Sequence, residues 1–211
     1  PPLVIYGEHG SAKTTAARMY RRLIDPNKSD LRSPPRNETD LFIQAMNGRV
    51  LGYDNLSGLP PWLSDALCRI STGGGMSTRK LYTDNGEVIF DGTRPVVLNG
   101  IEEIATRSDL MDRAVILNLP AISPEKRRLE SDLWRDFDTA HPYILGGLLD
   151  AVSIGLRNLA QVRLDESPRM ADFARWAVAC EPAFGVPEGT FLAAYNDNRG
   201  NANRSAIEAS V

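Results

Sequence analysis

A short loop near the start of the chain carries most of the chemistry that the sequence displays. It consists of Gly7-Glu8-His9-Gly10-Ser11-Ala12-Lys13-Thr14, followed by Thr15, and fits the pattern G-x-x-x-x-G-K-[ST] except at Ala12, where a glycine is expected. Backbone N–H groups of such a loop surround a phosphate, the lysine reaches the β- and γ-phosphates, and the Thr14 hydroxyl ligates Mg²⁺. The pattern predicts a nucleotide-binding site at residues 7–15, with ATP and Mg²⁺ as its ligands.

Two features of the loop decide how far this interpretation holds. The methyl group of Ala12 is tolerated if its position needs no positive φ. The alternative is a polar turn between a strand and a helix with an incidental Lys13-Thr14 pair. An apolar run before the loop and a helical pattern after it are the context that a phosphate-binding loop requires, and they favour the nucleotide site.

A carboxylate, Asp54, follows the apolar run 50–53. A strand-end carboxylate next to a phosphate-binding loop is suited to holding Mg²⁺, directly or through water. Asp54 is therefore predicted to bind the metal together with Thr14, although such residues also cap turns. The next residue, Asn55, cannot accept a proton, so the general base would have to be Asp54, Glu8 or another group.

Asn99 and two arginines complete the set of candidate catalytic residues. Asn99 ends the apolar run 96–98 and could orient an attacking water, or could equally be a turn residue of Asn99-Gly100. Arg113 directly precedes the apolar run 114–119, and Arg107 lies six residues earlier. An arginine there can stabilise the charge of a phosphoryl-transfer transition state, whereas the alternative is a surface ion pair.

The elements that would position these residues form an α/β core followed by helices. Continuous apolar runs predict buried strands at 3–6, 49–53, 95–98 and 114–119, and helical patterns cover 14–24, 40–46 and 60–70. The turn Asp84-Asn85-Gly86 predicts a β-hairpin with arms 77–83 and 87–91. After Ser123-Pro124, helices are predicted at 143–159, 169–179 and 190–196. We therefore expect a core at 1–122 and a helical, lid-like extension at 123–211.

Composition excludes several classes of protein. The chain has 211 residues, 24 Lys plus Arg, 27 Asp plus Glu and 42% hydrophobic residues, which is not the composition of a disordered chain. No uncharged apolar stretch is long enough to span a membrane. The net charge of −3 argues against unspecific coating of nucleic acid but leaves room for a local basic groove. Two isolated cysteines, Cys68 and Cys180, predict reduced thiols in a cytoplasmic protein.

Taken in order, these segments resemble the motor domain of superfamily 3 helicases within the AAA+ P-loop NTPases. They are most similar to the C-terminal ATPase domains of phage- and poxvirus-type primase–helicases. The matching segments are residues 7–14, 50–54, 72–80, 96–99 and 112–116. The resemblance implies a parallel sheet flanked by helices with an inserted β-hairpin. Because the chain starts abruptly at Pro1, we also expect a missing N-terminal domain of the same polypeptide.

The resemblance also assigns roles. It implies that Asp54 is the Walker B acid, Asn99 the sensor and Arg113 the arginine finger, with Arg107 as its substitute. It further implies a hexameric ring of identical subunits that hydrolyses ATP and moves along single-stranded or forked DNA.

In that family the hairpin faces the channel of the ring, which makes Arg79 and Lys80 candidates for phosphate contacts and Tyr82 a candidate for base stacking. Against this, the hairpin tip 84–87 is acidic, and Arg79 and Lys80 could instead be an ordinary solvated strand edge.

Three functions follow from the sequence. The leading interpretation is an ATP-dependent DNA helicase or primase–helicase ATPase of a phage or mobile element. The second is a nucleotide-dependent interaction module with weak hydrolysis, which Asn55 supports. The third is a small-molecule kinase, which would need an arginine-rich lid that residues 123–211 do not clearly display.

Overall fold

The computed structural model describes residues 1–74, 76–79, 87–90, 92–100 and 107–208. The chain divides into two compact units, Pro1–Ile122 and Ser123–Val211, and each is described here by itself. In chain order the first unit contains β1 (Leu3–Tyr6), α1 (Lys13–Ile24), α2 (Glu38–Asn47), β2 (Leu51–Leu56), α3 (Pro61–Thr72), β3 (Met76–Arg79), β4 (Glu87–Phe90), β5 (Val96–Gly100), α4 (Ser108–Met111) and β6 (Val115–Asn118).

A parallel sheet of four strands forms the centre of the first unit. Its order is β2-β5-β1-β6, so β5 lies between β1 and β2. Leu3 pairs with Val97 on one side and with Val115 on the other. All five residues of β5 are buried, as expected of a central strand covered on both faces. The predicted α/β class with a parallel sheet flanked by helices is confirmed.

Helix α1 packs against this sheet through a small apolar cluster. Ala17 is fully buried and packs with Ile5, Val50 and Val97. The neighbouring helix α2 begins where the Asn37 side chain accepts a hydrogen bond from the Asp40 N–H at 2.8 Å, a typical helix cap. The contacts of Ala17 hold α1 against the central strands of the sheet.

A buried arginine fixes the other end of α1. Arg21, 3% exposed, forms an ion pair with Asp25 at 3.2 Å and donates a hydrogen bond to the Val50 carbonyl. The Asp25 carboxylate in turn accepts from the N–H groups of Arg49 and Val50. Burial lowers the pKa of Arg21, and the charge of Asp25 acts in the opposite direction. The network joins the end of α1 to the start of β2.

The predicted hairpin is present as the antiparallel pair β3 and β4, with Met76 opposite Phe90 and Arg79 opposite Glu87. The described strands cover residues 76–79 and 87–90 of the predicted arms 77–83 and 87–91. The predicted turn Asp84-Asn85-Gly86, and with it Lys80 and Tyr82, lies outside the described residues. The hairpin therefore positions Arg79 at the end of β3 closest to the turn.

The second unit is helical. It contains a 3-10 turn (Pro124–Lys126), α5 (Glu130–Asn158), α6 (Ala171–Cys180), a second 3-10 turn (Glu181–Phe184) and α7 (Thr190–Glu208). The helix predicted from residue 143 in fact begins at Glu130, with Pro142 in its interior. A proline removes one backbone hydrogen bond but does not prevent a helix whose apolar face is packed, and this explains why the predicted start was wrong.

Close packing and a buried carboxylate hold the second unit together. Gly155 of α5 lies against Cys180 and Trp176 of α6. Glu181, 3% exposed, accepts hydrogen bonds from the N–H groups of Gly189 and Phe191 at 2.8 and 2.6 Å, where α7 begins. Among the described helices, none is both long and apolar enough to cross a membrane.

Candidate phosphate-binding site

Glycines allow the loop between β1 and α1 to turn tightly. Gly7 has φ +151° and Gly10 has φ +78°, conformations that glycine adopts without steric cost. A Cβ atom on Gly7 would lie 2.2 Å from the carbonyl oxygen of Leu119, which no side chain could tolerate. Gly7 is thus required both by its backbone conformation and by the close approach of the chain that follows β6.

Ala12 does adopt the conformation that its methyl group disfavours. It precedes α1 with φ +58° and ψ +28°, in the left-handed region. The condition under which alanine was expected to be tolerated is therefore not met. The loop holds a strained residue of a kind that often occurs at functional sites.

The Lys13 ammonium lies across the loop. Its Nζ donates hydrogen bonds to the carbonyl oxygens of Gly7 and Glu8 at 2.8 and 2.7 Å, and to Ser11 Oγ at 3.2 Å. Ser11 Oγ itself donates to the Glu8 carbonyl at 2.9 Å. The carbonyl groups are thus drawn toward one cation, and the positive charge is fixed at the mouth of the loop, where it would attract an anion.

Thr14, Asp54 and Asn99 meet beside the loop although they are far apart in the sequence. Thr14 Oγ1 donates to Asp54 Oδ1 at 3.1 Å. Asn99 Nδ2 donates to the same carboxylate oxygen and to Thr14 Oγ1, the latter at 3.2 Å. The strand order explains this meeting, because β5 carries Asn99 between the ends of β1 and β2. The site therefore joins a hydroxyl, a carboxylate and an amide at the carboxyl edge of the sheet.

Asn55 occupies a bulge in β2. The register of β2 against β5 shifts between Tyr53 and Leu56, and Asn55 has φ +56°. Its N–H donates to Asp54 Oδ1 at 2.9 Å. Asparagine tolerates the left-handed conformation better than most residues. Asp54 is accordingly a residue within β2 rather than one that follows the strand, and the bulge turns its carboxylate toward Thr14.

These residues line an open cleft of about 330 Å³. Its lining is formed by the second half of the loop and two strand ends, namely His9, Gly10, Ser11, Ala12, Lys13, Thr14, Asp54, Asn55, Asn99 and Gly100. Gly7 and Glu8 are not part of this lining, but their carbonyl oxygens accept hydrogen bonds from Lys13 Nζ. Thr15 is a half-buried residue of α1 and also lies outside the lining. Gly100 was not among the predicted residues, although its position directly after Asn99 could have indicated it.

The oxygen atoms of Thr14 and Asp54 fit the requirements of Mg²⁺. Adjacent ligands of an octahedral Mg²⁺ at 2.0–2.1 Å are separated by about 2.9 Å. Thr14 Oγ1 and Asp54 Oδ1 are 3.1 Å apart, close to that separation. Hard oxygen ligands are also those that Mg²⁺ prefers. These two residues could therefore hold the cation, with phosphate and water oxygens completing its shell.

The structure places the two candidate arginines in different surroundings. The Arg113 side chain is 15% exposed and forms an ion pair and a hydrogen bond with Asp109. Arg107 is 44% exposed and pairs with the exposed carboxylate of Asp65 at 3.0 Å. Neither arginine is among the described residues that line the cleft at the loop. Arg113 lines a separate cleft of about 450 Å³ together with Cys68. The Arg113 side chain is therefore anchored within the first unit of the chain, and the Arg107 side chain is the more exposed of the two.

Cys68 lies next to this anchor. Burial, together with a hydrogen bond to Asp109, raises the pKa of the Cys68 thiol to about 11. Both Cys68 and Cys180 are free and buried. Two thiols in such surroundings are protonated at neutral pH and are poor nucleophiles.

A family comparison covers nearly the whole chain. A family model described as "Actinomycete integrative conjugative element replication protein" matches residues 1–201. A search of curated proteins found no match. The matched range includes every residue of the cleft, β3 of the hairpin, and both candidate arginines.

Proposed function

The chain belongs to the family of actinomycete integrative conjugative element replication proteins, and from this we propose that it is the ATP-hydrolysing motor domain of a DNA helicase or primase–helicase. Its fold would then be that of an AAA+-like P-loop NTPase. Replication of a mobile element requires the separation of DNA strands, which a nucleotide-driven motor supplies.

The observation that carries the proposal is the convergence of Lys13, Thr14, Asp54 and Asn99 on one cleft. A cation, a hydroxyl, a carboxylate and an amide at the end of a glycine-bearing loop match the parts that phosphoryl transfer from ATP requires. A surface turn with an incidental Lys-Thr pair would not need a carboxylate and an amide from two other strands.

Each residue has a defined task in this proposal. The loop N–H groups and Lys13 bind the β- and γ-phosphates and neutralise their charge. Asn99 orients the attacking water, and Asp54 or Glu8 accepts its proton. Thr14 and Asp54 hold Mg²⁺, which would neutralise phosphate charge when bound. An arginine of a neighbouring subunit stabilises the transition state, a role that Arg107 suits better than Arg113 because its side chain is more exposed.

We further propose that the active form is a homo-hexameric ring around single-stranded or forked DNA. Arg79 stands at the end of β3 nearest the hairpin turn, and Lys80 follows it. Two adjacent cations there would contact backbone phosphates and make binding salt-dependent. We expect this assembly to work in the cytoplasm.

The test is Mg²⁺-dependent ATP hydrolysis with and without single-stranded DNA. Lys13→Ala removes the phosphate-binding cation, and we expect its turnover to fall at least about 100-fold, as for the loss of one transition-state donor. DNA should raise the turnover of the unaltered protein, and raising the salt concentration should reduce that stimulation.

Lys28→Ala is the matched control, since Lys28 is an exposed lysine in the loop after α1. It should leave the turnover unchanged. Hydrolysis that survives Lys13→Ala would contradict the ATPase assignment. Hydrolysis that is lost in Lys13→Ala but indifferent to DNA in a ring-competent preparation would contradict the helicase assignment alone.

A second candidate function is a nucleotide-dependent switch that hydrolyses ATP slowly. It is favoured by Asn55, which stands beside the Asp54 carboxylate and cannot act as a base. Equilibrium binding of ATP with turnover no faster than that of Lys13→Ala would support the switch. A turnover well above that of Lys13→Ala would exclude it.

A further inference from the structure

The segment that follows β6 lies beside the phosphate-binding loop. The Leu119 N–H donates to the Tyr6 carbonyl at 2.9 Å, and the Ile122 N–H donates to the Gly10 carbonyl at 3.1 Å. Gly7 approaches the Leu119 carbonyl so closely that no Cβ would fit there. Leu119 therefore extends the pairing of β1 and β6 by one residue, and Ile122 lies against the loop.

The hydrogen bond from Ile122 determines how one peptide group of the loop is oriented. In a planar trans peptide the C=O and the N–H point in opposite directions. When the Gly10 carbonyl faces Ile122, the N–H of the same peptide group, which belongs to Ser11, must point away from residues 119–122. A bound phosphate requires backbone N–H groups of the loop that point away from residues 119–122.

Within the loop, a hydrogen bond holds the Ser11 side chain to the Glu8 carbonyl, whereas the Gly10 carbonyl is held by Ile122. The orientation of the Gly10–Ser11 peptide group is set by ψ of Gly10 and φ of Ser11, and glycine, which has no Cβ, permits a wide range of ψ. The Gly10–Ser11 peptide could therefore rotate and present its carbonyl oxygen to the phosphate, which would repel it. A donor from outside the loop prevents that rotation.

We propose that the backbone N–H of Ile122 is a positioning group for the nucleotide site, because it holds the Gly10–Ser11 peptide with its N–H toward the phosphates. The proposal rests on the proposed function, since it assumes that the loop binds ATP. It also assigns a role to the last residue before the second unit, because Ser123 follows directly.

Ile122→Pro tests the proposal, since proline lacks the N–H and retains an apolar side chain. Losing the orientation that one hydrogen bond supplies should raise the Kd for ATP about 3- to 10-fold. The Kd is measured by titration with a fluorescent ATP analogue, and the melting temperature is recorded alongside. Ile122→Ala is the matched control, because it shortens the side chain and keeps the N–H, and its Kd should equal that of the unaltered protein.

The possible outcomes separate this proposal from the proposed function. If the unaltered protein does not bind the analogue, the nucleotide site itself is refuted. If it binds, and Ile122→Pro binds equally well, the positioning role is refuted. Equal losses in Ile122→Pro and Ile122→Ala would assign the effect to the side chain and also refute it.

Hydrogen exchange tests the same point without a substitution and covers the case in which Ile122→Pro does not fold. If the hydrogen bond from Ile122 to Gly10 favours binding of the nucleotide, the bound nucleotide must favour that hydrogen bond to the same extent, because coupling between two binding events is reciprocal. Saturating ATP analogue should therefore slow exchange of the Ile122 amide about 3- to 10-fold more than that of Leu119. Equal slowing, or none, with the analogue bound would overturn the proposal.

Discussion

Two residues beside the cleft, Ala12 and Asn55, carry left-handed backbone without being glycine. Asparagine adopts this conformation at low cost, but for alanine it costs about 1 kcal/mol or more. Ala12 lies in the loop before α1 and Asn55 in the bulge of β2, and both line the cleft. Backbone strain is thus concentrated where nucleotide phosphates would bind.

Replacing Ala12 by glycine should relieve this strain. We expect Ala12→Gly to stabilise the protein by about 0.5–1 kcal/mol, the conformational cost of alanine less the greater entropy of glycine in the unfolded chain. The free energy of unfolding is obtained from urea titration. Ala16→Gly in the interior of α1 is the control and should destabilise by about 1 kcal/mol. Destabilisation of similar size in both variants would show that Ala12 is not strained.

Contacts between elements depend on small residues in the second unit. Gly155 of α5 faces α6, and a Cβ there would lie 2.5 Å from Cys180 Sγ and 3.2 Å from a ring carbon of Trp176. Gly147 lies two turns earlier on the same helix, and nothing is within 4 Å of its Cβ position. Close packing therefore requires a glycine at position 155 but not at position 147.

The pair Gly155→Ala and Gly147→Ala separates packing from helix propensity. Gly155→Ala should destabilise by about 1–3 kcal/mol, because overpacking outweighs the gain in propensity. Gly147→Ala should stabilise by up to about 1 kcal/mol, since alanine favours the helix and meets no neighbour. Urea unfolding of the whole chain, followed by circular dichroism, measures both. Stabilisation by both substitutions would show that α5 and α6 are not in close contact.

At the scale of the whole molecule, the proposed ring requires an arginine side chain that can reach the nucleotide site of a neighbouring subunit. Arg113 is anchored by Asp109 and largely shielded from solvent, whereas the Arg107–Asp65 pair is exposed on both sides. Exposed pairs of this kind contribute about 0–1 kcal/mol, so Arg107 can exchange its partner at little cost. The assembly would therefore use the arginine that its own fold needs least.

The two arginines should respond differently to alanine. Arg107→Ala should reduce ATP turnover at least about 100-fold with little change in stability, because it removes transition-state stabilisation. Arg113→Ala should lower the free energy of unfolding by about 1–3 kcal/mol, since it removes the ion pair and the hydrogen bond that a largely buried side chain makes with Asp109. Turnover and urea unfolding are measured for both variants.

Mixing experiments then test action between subunits. Arg107→Ala lacks only the arginine and Lys13→Ala only the phosphate site, so mixed rings contain some complete sites. Turnover in the mixture above that of either variant is expected. A mixture that remains inactive although the two variants assemble together would rule out an arginine supplied by a neighbouring subunit.

Local patterns in the sequence determined the class of the fold and the centre of the site. Apolar runs predicted all four strands of the sheet to within a few residues, because strands of a parallel sheet flanked by helices are mostly apolar. The spacing of Gly7, Lys13 and Thr14 predicted a loop between a strand and a helix, and such a loop joins β1 to α1. The start of α5 was misjudged at Pro142, because helix packing overrides a local breaking signal.

Only the tertiary structure decided which distant groups meet. The sheet order β2-β5-β1-β6 brings Asn99 to both Thr14 and Asp54, and no local pattern specifies which strands become neighbours. The same holds for the positive φ of Ala12, the burial that separates Arg113 from Arg107, and the hydrogen bond from Ile122 to Gly10. Residue types and short-range spacing determine what chemistry is available. Long-range packing determines where that chemistry is assembled, because it depends on contacts between segments that are far apart in the chain.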